Sequence, residues 1–116
     1  WANAPDASVK LLSATDTSTD AGGMIVVRTS ESAIMLWAAN LPQLPSDKVF
    51  QVWLVREGTV YSGGVFRADS TGHAIRYIQL PEPVDNFEAI LITVEQGDGS
   101  PDPSGDPVLR GNLGDL

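Results

Sequence analysis

The sequence predicts an all-β domain, a single antiparallel β-sandwich of the immunoglobulin-like or Greek-key type with seven or eight short strands. Three observations carry that expectation. Short runs with strand-like alternation recur at roughly 8–12-residue spacing. Clusters of Gly, Pro, Asp and Ser separate the runs. No segment sustains a 3.6-residue apolar period bounded by helix caps.

Ser8 to Ala14 reads as the first strand, with Val9, Leu11 and Ser13 on one face because strand side chains alternate. Met24 to Thr29 follows a loop ending in the turn-rich Asp20-Ala21-Gly22-Gly23. Arg28-Thr29-Ser30-Glu31 reads as a hairpin turn into Ser32 to Ala39. That third run holds Ala33-Ile34-Met35-Leu36-Trp37, apolar on both faces, which predicts a central strand buried on one side and covered or edge-packed on the other. Leu41-Pro42-Gln43-Leu44-Pro45 cannot join a ladder, since proline has no backbone donor, and is expected to be a rigid crossing segment.

Val49 to Val55 is the clearest strand, alternating Phe50, Val52 and Leu54 against Val49, Gln51, Trp53 and Val55. Glu57-Gly58 turns the chain into Thr59 to Phe66, where Gly63-Gly64 predicts a bulge. Asp69-Ser70-Thr71-Gly72 is a further turn before His73 to Leu80, which Pro81-Glu82-Pro83 ends. A short helical turn is expected near Val84 to Phe87. Phe87 to Glu95 is the last strong strand, with Ile90, Ile92 and Val94 inward. Gly97 to Pro107 is loop-like, and Val108-Leu109 adds a short edge strand. Trp37 and Trp53 lie inside apolar strands and are both expected in the core.

A length of 116 residues, 42% of them apolar, fits one compact domain. The chain opens on Trp1 and not on methionine, so it is expected to have been processed or cut out of something longer. Residues 1–7 read as an N-terminal stub or linker, 8–112 as the domain and 113–116 as a C-terminal tail. The net charge is −8, with 15 acids against 7 bases. Such a surface repels phosphate backbones and anionic headgroups, which argues against nucleic acid as a partner. No apolar run approaches the ~20 residues a membrane helix needs.

Reactive groups are sparse. The chain has no cysteine and hence no disulfide, thiolate metal site or thiol nucleophile. His73 is its sole histidine, and no G-x-S-x-G elbow supplies a serine for it to activate. A cupredoxin-like copper site fails on composition, since it needs two histidines and a cysteine. Calcium needs only oxygen ligands, and the tail carries Glu95, Asp98, Asp102, Asp106 and Asp115 against the single base Arg110. Their spacing does not match an EF-hand loop, so solvated loop acids are the expected reading. No catalytic residue, cofactor or metal ligand is expected, and the chain does not read as an enzyme.

Three blocks of sequence nevertheless carry a resemblance. Phe50-Gln51-Val52-Trp53-Leu54-Val55-Arg56-Glu57-Gly58, followed by Gly64-Val65-Phe66, resembles the C-terminal domain of the anti-sigma-K factor family. Leu36 with Leu41-Pro42-Gln43-Leu44-Pro45 is similar to that family's Leu-Pro-x-x-Pro crossing. Thr93-Val94-Glu95 with Gly97-Asp98-Gly99-Ser100 and Pro103-Ser104-Gly105-Asp106-Pro107-Val108 is similar to its ending. The chain departs from the family pattern at Gln96, Asp98 and Ser104, and at Asn40, where glycine is frequent.

The resemblance covers about residues 8 to 112 and implies a scaffold role for Leu41, Pro42, Pro45, Gln51, Trp53, Leu54, Gly58, Gly64, Phe66, Glu95, Gly99, Ser100, Pro103 and Gly105. It implies Trp53 as core anchor and Glu95 as a partner for backbone N–H groups of the tail loop. It also implies a whole protein in which a cytoplasmic region, absent from this chain, binds a sigma factor. A transmembrane helix, likewise absent, would tether the present domain outside the cytoplasm. There it would serve as a sensory part that gates proteolytic release of the sigma factor, through an extracytoplasmic protease or signalling protein, and so regulates transcription negatively. An extracellular ligand-binding module for sugar, peptide or calcium is the alternative.

Overall fold

The computed structural model describes residues 7–14, 21–28, 32–105 and 107–113. The expected turn at Thr29-Ser30-Glu31, most of the stub (1–6), Asp20, Asp106 and the tail at 114–116 lie outside the described residues. Eight strands follow in order: β1 (Ala7–Ala14), β2 (Gly22–Arg28), β3 (Ala33–Ala39), β4 (Lys48–Arg56), β5 (Thr59–Phe66), β6 (Ala74–Gln79), β7 (Ala89–Gln96) and β8 (Pro107–Asn112). A 3₁₀ turn at Val84–Asn86 precedes β7.

All pairings are antiparallel, and the strands form one sheet in the order β5-β4-β7-β8-β1-β2-β3-β6. The all-β antiparallel expectation holds. The layers of the expected sandwich are two four-stranded halves of that one sheet, joined where Ser13 and Ala14 of β1 pair with Arg110 and Leu109 of β8. β8 is therefore a central strand and not the short edge expected from Val108-Leu109. Gly111 permits this close fit, since a Cβ there would lie 2.5 Å from Leu12 Cδ2. The true edges, β5 and β6, approach each other at Gly63, where a Cβ would lie 3.2 Å from Ile78 Cγ2. The sheet is thus nearly closed.

One core lies between the halves. Phe50, Val52, Leu54, Ile90 and Ile92 face Ile25, Val27, Ile34, Leu36 and Ile78, each burial contributing roughly 1.5–3 kcal/mol. Phe66 stacks on Phe50 at 5.4 Å, and Phe87 meets Tyr61 edge-on at 5.7 Å. The bulge expected at Gly63-Gly64 falls where the β4–β5 register shifts between Val52 and Trp53, and Gly64 there adopts φ +105°.

The two outer faces differ. On the β1-β2-β3-β6 half, the register aligns Leu11, Met24, Trp37 and Ile75 in one row and Val9, Val26, Met35 and Tyr77 in the next. Val9, Leu11, Ile75 and Tyr77 are exposed there. Trp37 is only half-buried, which corrects its expected core position: on a strand apolar on both faces, its odd-numbered side points out of the sheet. The outer face of the other half is covered.

Candidate functional site

Alternation along β4 sends Phe50, Val52 and Leu54 into the core and turns Val49, Gln51 and Trp53 outward. The β7 register brings Glu95 opposite Val49 and Thr93 opposite Gln51 on that outward side. A row bearing Gln, Trp, Thr and Glu would ordinarily meet water. Here Gln51, Thr93 and Glu95 are the buried polar side chains among the described residues, Glu95 only 2% exposed, because the segment 97–105 lies across them.

The covering segment is tied down by hydrogen bonds that converge on one carboxylate. Glu95 Oε1 accepts from Ser100 Oγ and Ser104 Oγ, both at 2.7 Å. Its Oε2 accepts from Thr93 Oγ1 at 2.5 Å and from the backbone N–H groups of Ser104 and Gly105 at 3.1 Å. Trp53 Nε1 donates to Thr93 Oγ1 at 2.9 Å and so orients the hydroxyl toward Glu95. Gln51 makes a second tie: its Oε1 accepts from Ser100 N at 2.8 Å, and its Nε2 donates to Ser62 Oγ at 2.9 Å and Ser100 O at 3.2 Å. Every buried side-chain polar atom among the described residues has a partner, as a low-dielectric polar network requires.

The electrostatics follow from these donors. Burial pushes the Glu95 carboxyl up, yet the hydroxyls of Thr93, Ser104 and Ser100 and the Gly105 N–H together outweigh it and lower the group from 4.5 to about 2. An ionised carboxylate with five donors has no lone pair left for proton transfer or for a cation. Chemically the arrangement is a latch: it fixes a loop on a sheet and leaves nothing poised to react. Gly105 completes it, since a Cβ there would lie 1.5 Å from the Val94 carbonyl oxygen. Only a residue without a side chain can bring its N–H so close.

The latch thus gathers Gln51, Trp53, Glu95, Gly99, Ser100 and Gly105. Gly99 adopts φ +90° over Gln51, and Pro103 lies half-buried in the same loop. The other residues singled out from the sequence lie elsewhere. Leu54 and Phe66 are in the core. Gly58 turns the β4–β5 hairpin at φ +80°, and Gly64 sits in the bulge. Leu41 is buried, and its N–H donates to Gly72 O at 3.0 Å; Pro42 lines a small hollow of about 30 Å³ with Phe50, and the Pro45 carbonyl accepts from Arg67 at 3.3 Å. Thr93, Ser104 and Ser62 are latch members that sequence reasoning did not single out as site residues. The signal for Thr93 was its position two residues before Glu95, which puts both on one strand face.

His73 does meet an acid and a hydroxyl, but in an order that does not make a catalytic triad. Asp69 Oδ1 accepts from Thr71 Oγ1 at 2.7 Å, from Thr71 N at 2.9 Å and from His73 N at 3.0 Å, while Thr71 Oγ1 lies 2.8 Å from His73 Nδ1. The acid binds the hydroxyl and not the ring, and all three residues are exposed. The Thr71 hydroxyl, followed by the His73 and Thr71 N–H groups, lowers the Asp69 carboxyl below its ordinary range. This is an Asx-type turn bridging β5 and β6. For calcium, Asp98 and Asp102 are exposed and Glu95 is fully engaged, and no group of three or more potential metal ligands occurs among the described residues.

Comparison with known proteins adds two findings. The family model for the anti-sigma-K factor rskA, C-terminal, matches residues 1–108. A curated Streptomyces griseus protein described as an uncharacterized protein in the phr 5′ region is 34% identical over 111 residues, covering 96% of this chain and 44% of that protein. The chain therefore spans less than half the length of this relative. No solved structure matches the chain.

Proposed function

Since the chain belongs to the anti-sigma-K factor rskA C-terminal family, we propose that it is the extracytoplasmic regulatory domain of a membrane-anchored anti-sigma factor, whose folded state restrains proteolytic release of the sigma factor. The sigma-binding region and the membrane anchor belong to parts of the protein beyond this chain. The observation that carries the reading is the family match across residues 1–108. The latch supports it, because its groups hold a loop in place and are not arranged for chemistry.

The physical mechanism is denial of substrate. A protease binds an extended segment, and in a nearly closed sheet the backbone is already paired. Cleavage then follows the small population that opens. Any signal that lowers the opening free energy by about 1.4 kcal/mol raises that population tenfold.

Trp53→Ala in the full-length protein tests the proposal. Removing this buried ring costs about 3–5 kcal/mol and unties Thr93. Anchor cleavage and transcription from the cognate sigma factor should both rise. Unchanged cleavage in a variant shown by circular dichroism to be unfolded would refute gating, and a reporter fusion active only in the cytoplasm would refute the orientation.

A further inference from the structure

Of the two outer faces, the described residues cover one. The latch loop lies over β4 and β7. Over β1, β2, β3 and β6 the side chains with the greatest apolar exposure gather on a single face: Leu11 at 77%, Ile75 at 65%, Val9 at 52% and Tyr77 at 49%. They flank the half-buried Met24, Met35 and Trp37, while Val26 at the centre is 0% exposed. Leu11, Trp37 and Ile75 also line a shallow groove of about 340 Å³ that runs across the strands.

The charge distribution is equally uneven. The chain carries −8 overall, yet the outward-facing positions of these four strands include no acid among the described residues, and Arg28 and Arg110 stand at the rim. A patch of a few hundred Å² matches the largest apolar patch of a typical monomer, and such patches often serve a function.

We propose that this face is a self-association surface, on which a second copy of the chain packs its own β1-β2-β3-β6 half. Two features select a second copy. The first is shape: the face is a four-stranded twisted sheet with two apolar rows, and such faces pack on their own kind about 10 Å apart with strands nearly aligned. The second is area. The four exposed side chains present on the order of 400 Å² per copy, and with Met24, Met35 and Trp37 the two faces together would bury roughly 1,000 Å², the lower bound for a specific interface. Because the described outward positions of these strands carry no acid, the two −8 chains would meet on strand surfaces that are not themselves negative. An interface of this size is weak and reversible, so association depends on concentration.

Sedimentation equilibrium of the 116-residue chain, from about 5 to about 500 µM, reads this directly. The expected result is a monomer–dimer equilibrium with a dissociation constant in the micromolar range. Leu11→Lys and Ile75→Lys each place a charge at an exposed position and should weaken association at least about tenfold, with unchanged circular dichroism and melting temperature. Asp102→Lys, on the loop over the other half, should leave association unaltered. A chain that stays monomeric throughout overturns the proposal, as do folded Lys variants that dimerise like the parent. Binding of the monomer to neutral phosphatidylcholine vesicles, lost in both Lys variants, would instead assign the face to a lipid surface.

Discussion

Glu95→Gln isolates the latch with the smallest change in shape. The substitution keeps one carbonyl acceptor and replaces the other oxygen with an NH₂ group, which then confronts donors that formerly shared an anion. Two routes give its size. The fall of the carboxyl from 4.5 to about 2 corresponds to about 3 kcal/mol, at about 1.4 kcal/mol per pH decade. Hydrogen bonds to a charged partner are worth about 1.5–3 kcal/mol each and do not add fully, which gives the same order. Against a total stability of roughly 6–17 kcal/mol for a chain this long, the loss is large.

The pH dependence gives the prediction its specificity. The folded-state value lies below the unfolded one, so Glu95 stabilises the fold fully above about pH 4.5 and ceases to do so as pH falls through about 2. Urea denaturation of both proteins between pH 7 and pH 2 is the assay. At pH 7 the variant should be about 3 kcal/mol less stable, equivalent to roughly 10 °C in melting temperature. The gap should narrow below pH 4.5 and nearly vanish near pH 2, whatever the other carboxylates contribute, because they titrate in both proteins. A gap under about 0.5 kcal/mol at neutral pH, or one that persists undiminished at low pH, would refute the assignment of the latch to an ionised Glu95.

Gly105→Ala should cost more than about 3 kcal/mol, because its Cβ would overlap the Val94 carbonyl; amide exchange at Ser104 should accelerate together with the loss measured in urea. Trp53→Phe keeps most of the ring but leaves Thr93 Oγ1 without its donor, so it should cost about 1–2 kcal/mol, well short of the alanine variant in the same titration. Arg56 pairs with Glu82, which also accepts from Asn86 Nδ2 at 3.0 Å beside the 3₁₀ turn. Both side chains of that pair are about a third exposed, so Glu82→Gln should change stability by less than about 1 kcal/mol, an effect that shrinks further in 1 M salt.

The inner surface was legible because it is written in alternation. Phe50, Val52 and Leu54, like Ile90, Ile92 and Val94, recur every second residue, and burial on one face demands nothing else. The Gly63-Gly64 bulge was legible for a similar local reason, since only glycine takes φ +105° without strain. Relations set by distant segments were not legible. Trp37 and Trp53 have comparable apolar neighbours in sequence, and which one is buried depends on a loop some fifty residues further on that covers one half of the sheet and not the other. β8 looked like an edge because its Val108-Leu109 run is short, while its place between β7 and β1 is a property of the closure. Of the latch, the resemblance pointed to Gln51, Trp53, Glu95, Gly99, Ser100 and Gly105. Ser104 stood in a resembling block without a role and Ser62 in none, because their hydroxyls acquire meaning only when the chain folds back.

The gap between β5 and β6 has a consequence for how the domain would come apart. Each of these strands is laddered to a single neighbour, and their bare margins shadow one another at Gly63 and Ile78. That mutual shading keeps two adhesive borders from recruiting foreign strands, with no plug, bulky cap or extra helix among the described residues. It also makes the gap the natural place for unrolling to start: a pull or a proteolytic nick there would free an outermost strand while the β7-β8-β1 spine still held.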